Sequence, residues 1–239
     1  MKKITFYFFM IFCLLFAAAC SNSLDAIDDD PVIPNSNDYL CFTANEDGCS
    51  VSTAVSGSLT ATPSLEYSRD KENWDPFVVN SSDPSKDTTV DLTNAGDKVY
   101  IRATSSNASF SEREGYISFV ISGSVSASGS IMSLLDKNCS GDSVPDYAFD
   151  SMFQNCSSLT AAPALPATTL ADSCYKSMFE GCSNLSSITV YFTEWNDEYI
   201  YTTNWVNGVA GEGTFTCPSS LPEEYGADRI PTGWTKADL

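Results

Sequence analysis

The sequence predicts a mixed β and α/β protein. An N-terminal β-sandwich-like domain covers residues 38–122, a short solenoid of about four turns covers 123–217, and a C-terminal cap covers 218–239. Three observations carry this expectation. Ser151-Met152-Phe153-Gln154-Asn155-Cys156-Ser157-Ser158-Leu159 returns 26 residues later as Ser177-Met178-Phe179-Glu180-Gly181-Cys182-Ser183-Asn184-Leu185. A fixed period of about 20–50 residues marks stacked structural units, which bury their apolar faces only against one another. Residues 38–122 instead alternate apolar and polar with period two, and that alternation ends near residue 123.

In chain order, residues 1–19 read as a secretory signal: Lys2 and Lys3, an apolar run over 6–16, then Ala17-Ala18-Ala19. Cys20 follows directly and resembles the lipidated cysteine of a bacterial lipobox, with Ala17 where leucine is usual. Multiple acyl chains on such a cysteine anchor a protein firmly. Residues 20–37 read as an acidic tether, with Asp25, Asp28, Asp29 and Asp30 among prolines and small polar residues. The acidic run is either a solvated linker or a surface-export signal of the kind some Bacteroidota lipoproteins carry.

The β-domain opens with Tyr39-Leu40-Cys41-Phe42-Thr43. Leu65-Glu66-Tyr67-Ser68 and the stretch from Trp74 to Val79 form an expected hairpin. Thr88-Thr89-Val90-Asp91-Leu92, Lys98-Val99-Tyr100-Ile101-Arg102-Ala103 and Tyr116-Ile117-Ser118-Phe119-Val120-Ile121 supply further short strands, as a sandwich requires.

Beyond residue 123 the spacing becomes Cys182-x-x-Leu185-x-x-Ile188-x-Val190, the leucine-rich-repeat rhythm. A degenerate copy aligns Trp205 to Val209 with Met178 to Cys182, placing Phe215 and Cys217 on the Ile188 and Val190 positions. Helices are expected over 146–155 and 172–180, N-capped by Asp146 and Asp172, with Gly181 at a helix C-terminus. The expected core ladder is Met152, Phe153, Cys156 and Leu159 in one turn and Met178, Phe179, Cys182, Leu185, Ile188 and Val190 in the next.

Composition excludes several function classes. The chain has 31 acidic and 12 basic residues, a net charge of −19. That acidity argues against nucleic acid or an anionic membrane surface as partner. There is no histidine, which removes Ser-His-Asp and Cys-His catalysis and most zinc sites. No calcium-loop motif is present, so no metal and no cofactor is expected. Cys41, Cys49, Cys139, Cys156, Cys174, Cys182 and Cys217 lie beyond Cys20, an odd set that excludes full intramolecular pairing. Cys156 and Cys182 share a repeat position and form either a buried thiol ladder or a disulfide. Cys41 with Cys49 is the best candidate pair for a disulfide. Asn80, Asn107, Asn138, Asn155 and Asn184 head Asn-x-Ser triplets, read as chance products of a Ser-rich chain.

The run Met152-Phe153-x-x-Cys156-Ser-Ser-Leu159-Thr-Ala-Ala-Pro163-Ala-Leu165-Pro166, leading into Cys174-Tyr175-x-Ser-Met178-Phe179-x-Gly181-Cys182, resembles the repeat of BspA-like leucine-rich-repeat surface proteins of Bacteroidota. The resemblance implies an outer-membrane lipoprotein at the cell surface whose relatives bind host or matrix proteins, other cells or glycans. It identifies no catalytic residue.

The expected function is therefore non-enzymatic recognition or adhesion, with a lipid anchor in the membrane and a protein or glycan ligand on the repeat face. The candidate ligand face is Ser187, Thr189, Tyr191 and Trp195, near Ser186, Thr160 and Ala161. Tyr191, Trp195, Tyr199 and Tyr201 with Glu194, Asp197 and Glu198 form either an aromatic–acidic sugar platform or packing for the last turn. The alternative function is a structural or accessory subunit of an envelope complex. A carboxylate-based glycosidase using Glu194 and Glu198 is a third, with nothing in the spacing to select those acids.

Overall fold

In the computed structural model of this chain, residues 38–80, 82–195 and 201–239 are described. The signal segment, Cys20 and the tether over 20–37 lie outside the described residues, as do Asp197, Glu198 and Tyr199.

Alternation in the N-terminal part produces eight strands: β1 Leu40–Ala44, β2 Cys49–Gly57, β3 Leu65–Ser68, β4 Asp75–Phe77, β5 Val90–Leu92, β6 Lys98–Ala103, β7 Gly115–Ser122 and β8 Val125–Ser128. They form a five-stranded antiparallel sheet, β4-β3-β6-β1-β8, and a three-stranded one, β5-β2-β7. Inward side chains are buried and outward ones are not, as in β6, where Val99, Ile101 and Ala103 are buried between partly exposed neighbours. The two sheets meet face to face where the Phe42 and Phe119 rings lie 4.9 Å apart.

Four further strands, β9 Ala164–Leu165, β10 Ser187–Val190, β11 Thr214–Cys217 and β12 Thr235–Asp238, form a parallel sheet in the order β12-β11-β10-β9. Phe215 pairs with Ile188, the register of the 27-residue alignment. The tail over 218–239 contributes β12 to this sheet rather than only closing it.

The leucine-rich-repeat solenoid expected over 123–217 does not form. No α-helix occurs among the described residues; the helical pieces there are 3-10 turns at Pro84–Lys86 and Ile131–Leu134. Residues 146–155 and 172–180 are runs of consecutive turns. Every fourth residue is left-handed: φ is 56° at Tyr147, 59° at Ser151 and 63° at Asn155, then 53° at Ser173, 50° at Ser177 and 77° at Gly181. A right-handed helix cannot propagate through such positions.

The backbone hydrogen bonds explain what replaces it. Alternate amides bond back three residues: Asp150 N to Tyr147 O at 3.1 Å, Met152 N to Phe149 O at 3.3 Å, Gln154 N to Ser151 O at 3.1 Å. The amides between them bond sideways to the next run: Phe149 N to Cys174 O at 2.9 Å, Ser151 N to Lys176 O at 2.9 Å, Phe153 N to Met178 O at 2.8 Å. Tyr175, Ser177 and Phe179 repeat this toward Tyr201, Thr203 and Trp205. An α-helix would satisfy these amides internally and leave none for a neighbour. Lateral side-chain pairs follow the same offset, with Lys176 Nζ 3.0 Å from Asp150 Oδ2 and Gln154 Nε2 donating to Glu180 Oε2 at 2.8 Å.

Stacked runs place like side chains above one another, and two aromatic ladders result. In one, Phe119, Phe153, Phe179 and Trp205 succeed each other at 5.5, 5.6 and 6.2 Å. In the other, Phe110, Phe149, Tyr175 and Trp205 follow at 6.2, 6.2 and 6.5 Å. The first rung of each comes from the sandwich side, and Phe119 N donates to Met152 O at 2.8 Å. One hydrophobic core therefore runs from Leu40 to Trp234 across the expected boundary at 122 and 123.

The junction depends on Gly129. Its φ is 71°, and a Cβ there would collide with the carbonyl oxygen of Tyr39, while its own carbonyl accepts from Ala164 N at 2.8 Å. Gly129→Ala is expected to cost about 2 kcal/mol or more. Gly48→Ala, at a similar φ of 78° but with nothing within 4 Å, is expected to cost about 1 kcal/mol. Urea midpoints measure both; equal losses would show that the junction contact does not matter.

Tyr175 is fully buried, and its hydroxyl has no hydrogen-bond partner among the described residues. Phe149 fills the equivalent rung one run earlier. Tyr175→Phe is expected to raise stability by about 1 kcal/mol, because a buried polar atom without a partner is removed at constant shape. A lower melting temperature for this variant would contradict that accounting.

Candidate functional site

The alternation that buries Ile188, Val190, Phe215 and Cys217 sends their neighbours to the other face of the parallel sheet. Register aligns these outward residues in two rows: Ser187, Thr214 and Thr235, then Ala164, Thr189, Thr216 and Ala237. Ser187, Thr214 and Thr235 are exposed, and Thr189 and Thr216 are half-buried. Strands about 4.8 Å apart with a rise of about 3.3 Å per residue make this a regular grid of hydroxyls. Ser186 stands beside it, exposed, with its Oγ donating to Thr160 O at 3.4 Å. Asn45 Nδ2 donates to Thr160 Oγ1 at 3.1 Å, which ties the grid's margin to the sandwich.

Ser187 and Thr189 thus lie on the exposed face, but Tyr191 and Trp195 do not join them. The strand ends at Val190, so the alternation that would carry Tyr191 outward stops. Tyr191 is 7% exposed. Trp195 packs against Phe192 at 5.2 Å, Trp205 at 6.3 Å and Phe215 at 6.3 Å, and its indole N–H donates to Pro222 O at 2.9 Å. Of the two readings of the aromatic–acidic group, Tyr191 and Trp195 follow the packing one; Glu194 is exposed, and Asp197, Glu198 and Tyr199 lie outside the described residues.

The ladder residues form no site. Met152, Phe153, Leu159, Met178, Phe179, Cys182, Leu185, Ile188 and Val190 are fully buried, and Cys156 nearly so. The rungs Phe110, Phe119, Phe149, Tyr175 and Trp205 complete the stack. Phe149 and Tyr175 carry the same 26-residue signal as the phrase beside them.

All seven cysteines among the described residues are free and buried, so Cys41 and Cys49 form no disulfide. Cys49 Sγ donates to Glu46 O and Ser124 O, both at 3.3 Å. Cys156 Sγ donates to Phe119 O at 3.1 Å and Cys182 Sγ to Phe153 O at 3.0 Å, the same bond one run apart. Burial pushes the Cys156 thiol up to about 12 and raises Cys182 further. Neither is a nucleophile near neutral pH, since only the thiolate attacks. Among the described residues no group of three or more Cys, Asp or Glu is placed to hold a metal ion, and no helix is long and apolar enough to cross a membrane.

The geometry thus offers an exposed face of aligned hydroxyls on the parallel sheet. No protein-family model, curated protein or solved structure matches this chain.

Proposed function

We propose that this chain is a non-enzymatic recognition lipoprotein of the outer membrane, anchored through Cys20 and facing the cell exterior. It binds a host, cell-surface or glycan ligand through the hydroxyl face of Ser187, Thr189, Thr214 and Thr216. The observation that supports this most is the outer face of the parallel sheet, which no described residue covers. Parallel sheets are ordinarily covered on both faces. Among the described residues this one is covered on a single face and sets aligned hydroxyls on the other, which can exchange hydrogen bonds with a ligand without loss of core. The signal architecture and the likeness of the Met-Phe-x-x-Cys phrase to BspA-like surface proteins of Bacteroidota support the envelope assignment.

The test is capture of the full chain on immobilised mucin, fibronectin and laminin, compared with a Thr189→Arg/Thr216→Arg variant. Both threonines are half-exposed, so the variant is expected to fold. At least one surface is expected to retain the native chain and to lose the variant. Retention of neither, or of both equally, would overturn the ligand-face reading. Protease shaving of intact cells tests the location. A chain that is cut only after lysis would replace the surface reading with an accessory subunit inside the envelope.

A further inference from the structure

A concave surface lies along the edge of β12 that has no strand partner among the described residues. Glu223, Tyr225, Trp234, Thr235, Lys236 and Asp238 line an open cleft of 540 Å³. That is within the range of about 300–1,000 Å³ typical of small-ligand sites. Its side chains come from two segments, 219–225 and 234–238, which the Tyr225–Ile230 bridge and the β11–β12 pairing hold in place.

The chemistry of the lining is selective. Tyr225 is 45% exposed, rare for a large apolar side chain here, and its hydroxyl donates to Glu223 Oε1 at 2.7 Å, which holds the ring. Trp234 is buried at the base and fixed by its indole N–H on Ala210 O at 2.6 Å. Lys236 Nζ donates to Ser219 O at 3.2 Å and lies 3.8 Å from Asp238 Oδ1. An aromatic ring suits the apolar C–H face of a pyranose, the carboxylates of Glu223 and Asp238 accept from sugar hydroxyls, and Lys236 and Thr235 donate to them.

Two carboxylates against one ammonium, in a chain of net charge −19, repel an anionic sugar. Charges on the inner side of β12, from Lys236 and Asp238, also discourage addition of another strand along this edge. We propose that this cleft is a binding site for a neutral carbohydrate. It shares Thr235 with the hydroxyl face but takes its aromatic ring, carboxylates and ammonium from other residues, so it does not depend on that face binding anything.

The experiment is saturation-transfer NMR on the full chain. The probes are oligosaccharides of glucose, mannose, xylose, galactose and N-acetylglucosamine, followed by calorimetric titration of any that bind. At least one series is expected to bind. Tyr225→Ala is expected to weaken it by about tenfold and Glu223→Gln by about threefold. Tyr225 is half-exposed, so its removal spares the core, and an unchanged urea midpoint verifies this. No binding by any of these sugars, or binding that survives both substitutions in folded protein, would overturn the proposal. The Thr189→Arg/Thr216→Arg variant keeps this cleft and Tyr225→Ala keeps the hydroxyl face, so running both variants on mucin, fibronectin and laminin separates failure of one site from failure of the other.

Discussion

Trp205→Ala is expected to lower stability by about 3–5 kcal/mol, as for large aromatic truncations in a packed core. Trp205 is fully buried and is the last rung of both ladders, 6.2 Å from Phe179 and 6.5 Å from Tyr175. It also meets Phe192 at 6.4 Å, Trp195 at 6.3 Å and Phe215 at 6.0 Å, which joins the turn runs to the parallel sheet. Its indole N–H donates to Arg229 O at 2.9 Å, so truncation also removes that bond. Trp205→Phe keeps an aromatic rung, as Phe179 does one run earlier, and is expected to recover more than half of the loss. Urea unfolding followed by far-ultraviolet circular dichroism measures both. A cost below about 1 kcal/mol for the alanine variant would mean that the ladders do not transmit packing.

Alkaline pH is expected to unfold the protein steeply. Burial pushes the thiols of Cys139, Cys156 and Cys174 up to about 12 from 9.0, and Cys182 shifts the same way. In the unfolded chain these thiols lose their protons near 9.0; in the folded chain they keep them. Between those values the folded state binds more protons, so stability falls as pH rises. Each thiol contributes on the order of 1 kcal/mol per pH unit in that window, and the four together several times that. Below pH 9 they contribute no pH dependence. Net stabilities of about 5–15 kcal/mol are lost within a few units at that slope. Urea midpoints from pH 7 to 11 test this, and Cys156→Ala is expected to flatten the decline. A midpoint constant to pH 11 would contradict the burial of the thiols.

Much of the sandwich is legible in the sequence because Leu40, Phe42, Val99, Ile101, Ile117 and Phe119 alternate with polar residues. β2 is not, although it is the longest strand with nine residues. Its CSVSTAVSG sequence sends only Cys49, Val51 and Thr53 fully inward, and its Ser-rich remainder imitates a loop.

The turn runs mislead for a different reason. Ala148, Phe149, Met152, Phe153 and Cys156 have the spacing of a helical face, and all are buried. The difference lies in left-handed residues such as Tyr147 and Ser151, which are not glycine and carry no local signal. Asn155 and Asn204, with Gly181 and Gly208 in the later runs, hint at that backbone. At the site, alternation with Ile188 and Val190 makes Ser187 and Thr189 legible. Tyr191 and Trp195 mislead because the strand ends before them. The cleft at Tyr225 could not be read, since Glu223 and Asp238 meet only through the fold.

Lateral backbone bonding between repeats is the feature on which the ladders, the shared core and the hydroxyl face all rest. Scalar coupling through hydrogen bonds, measured by NMR on labelled protein, reports it directly. Coupling is expected from the Phe153 amide nitrogen to the Met178 carbonyl carbon, and from Phe179 to Trp205. Coupling from Phe153 to the Phe149 carbonyl instead, the i to i−4 bond of an α-helix, would contradict the account.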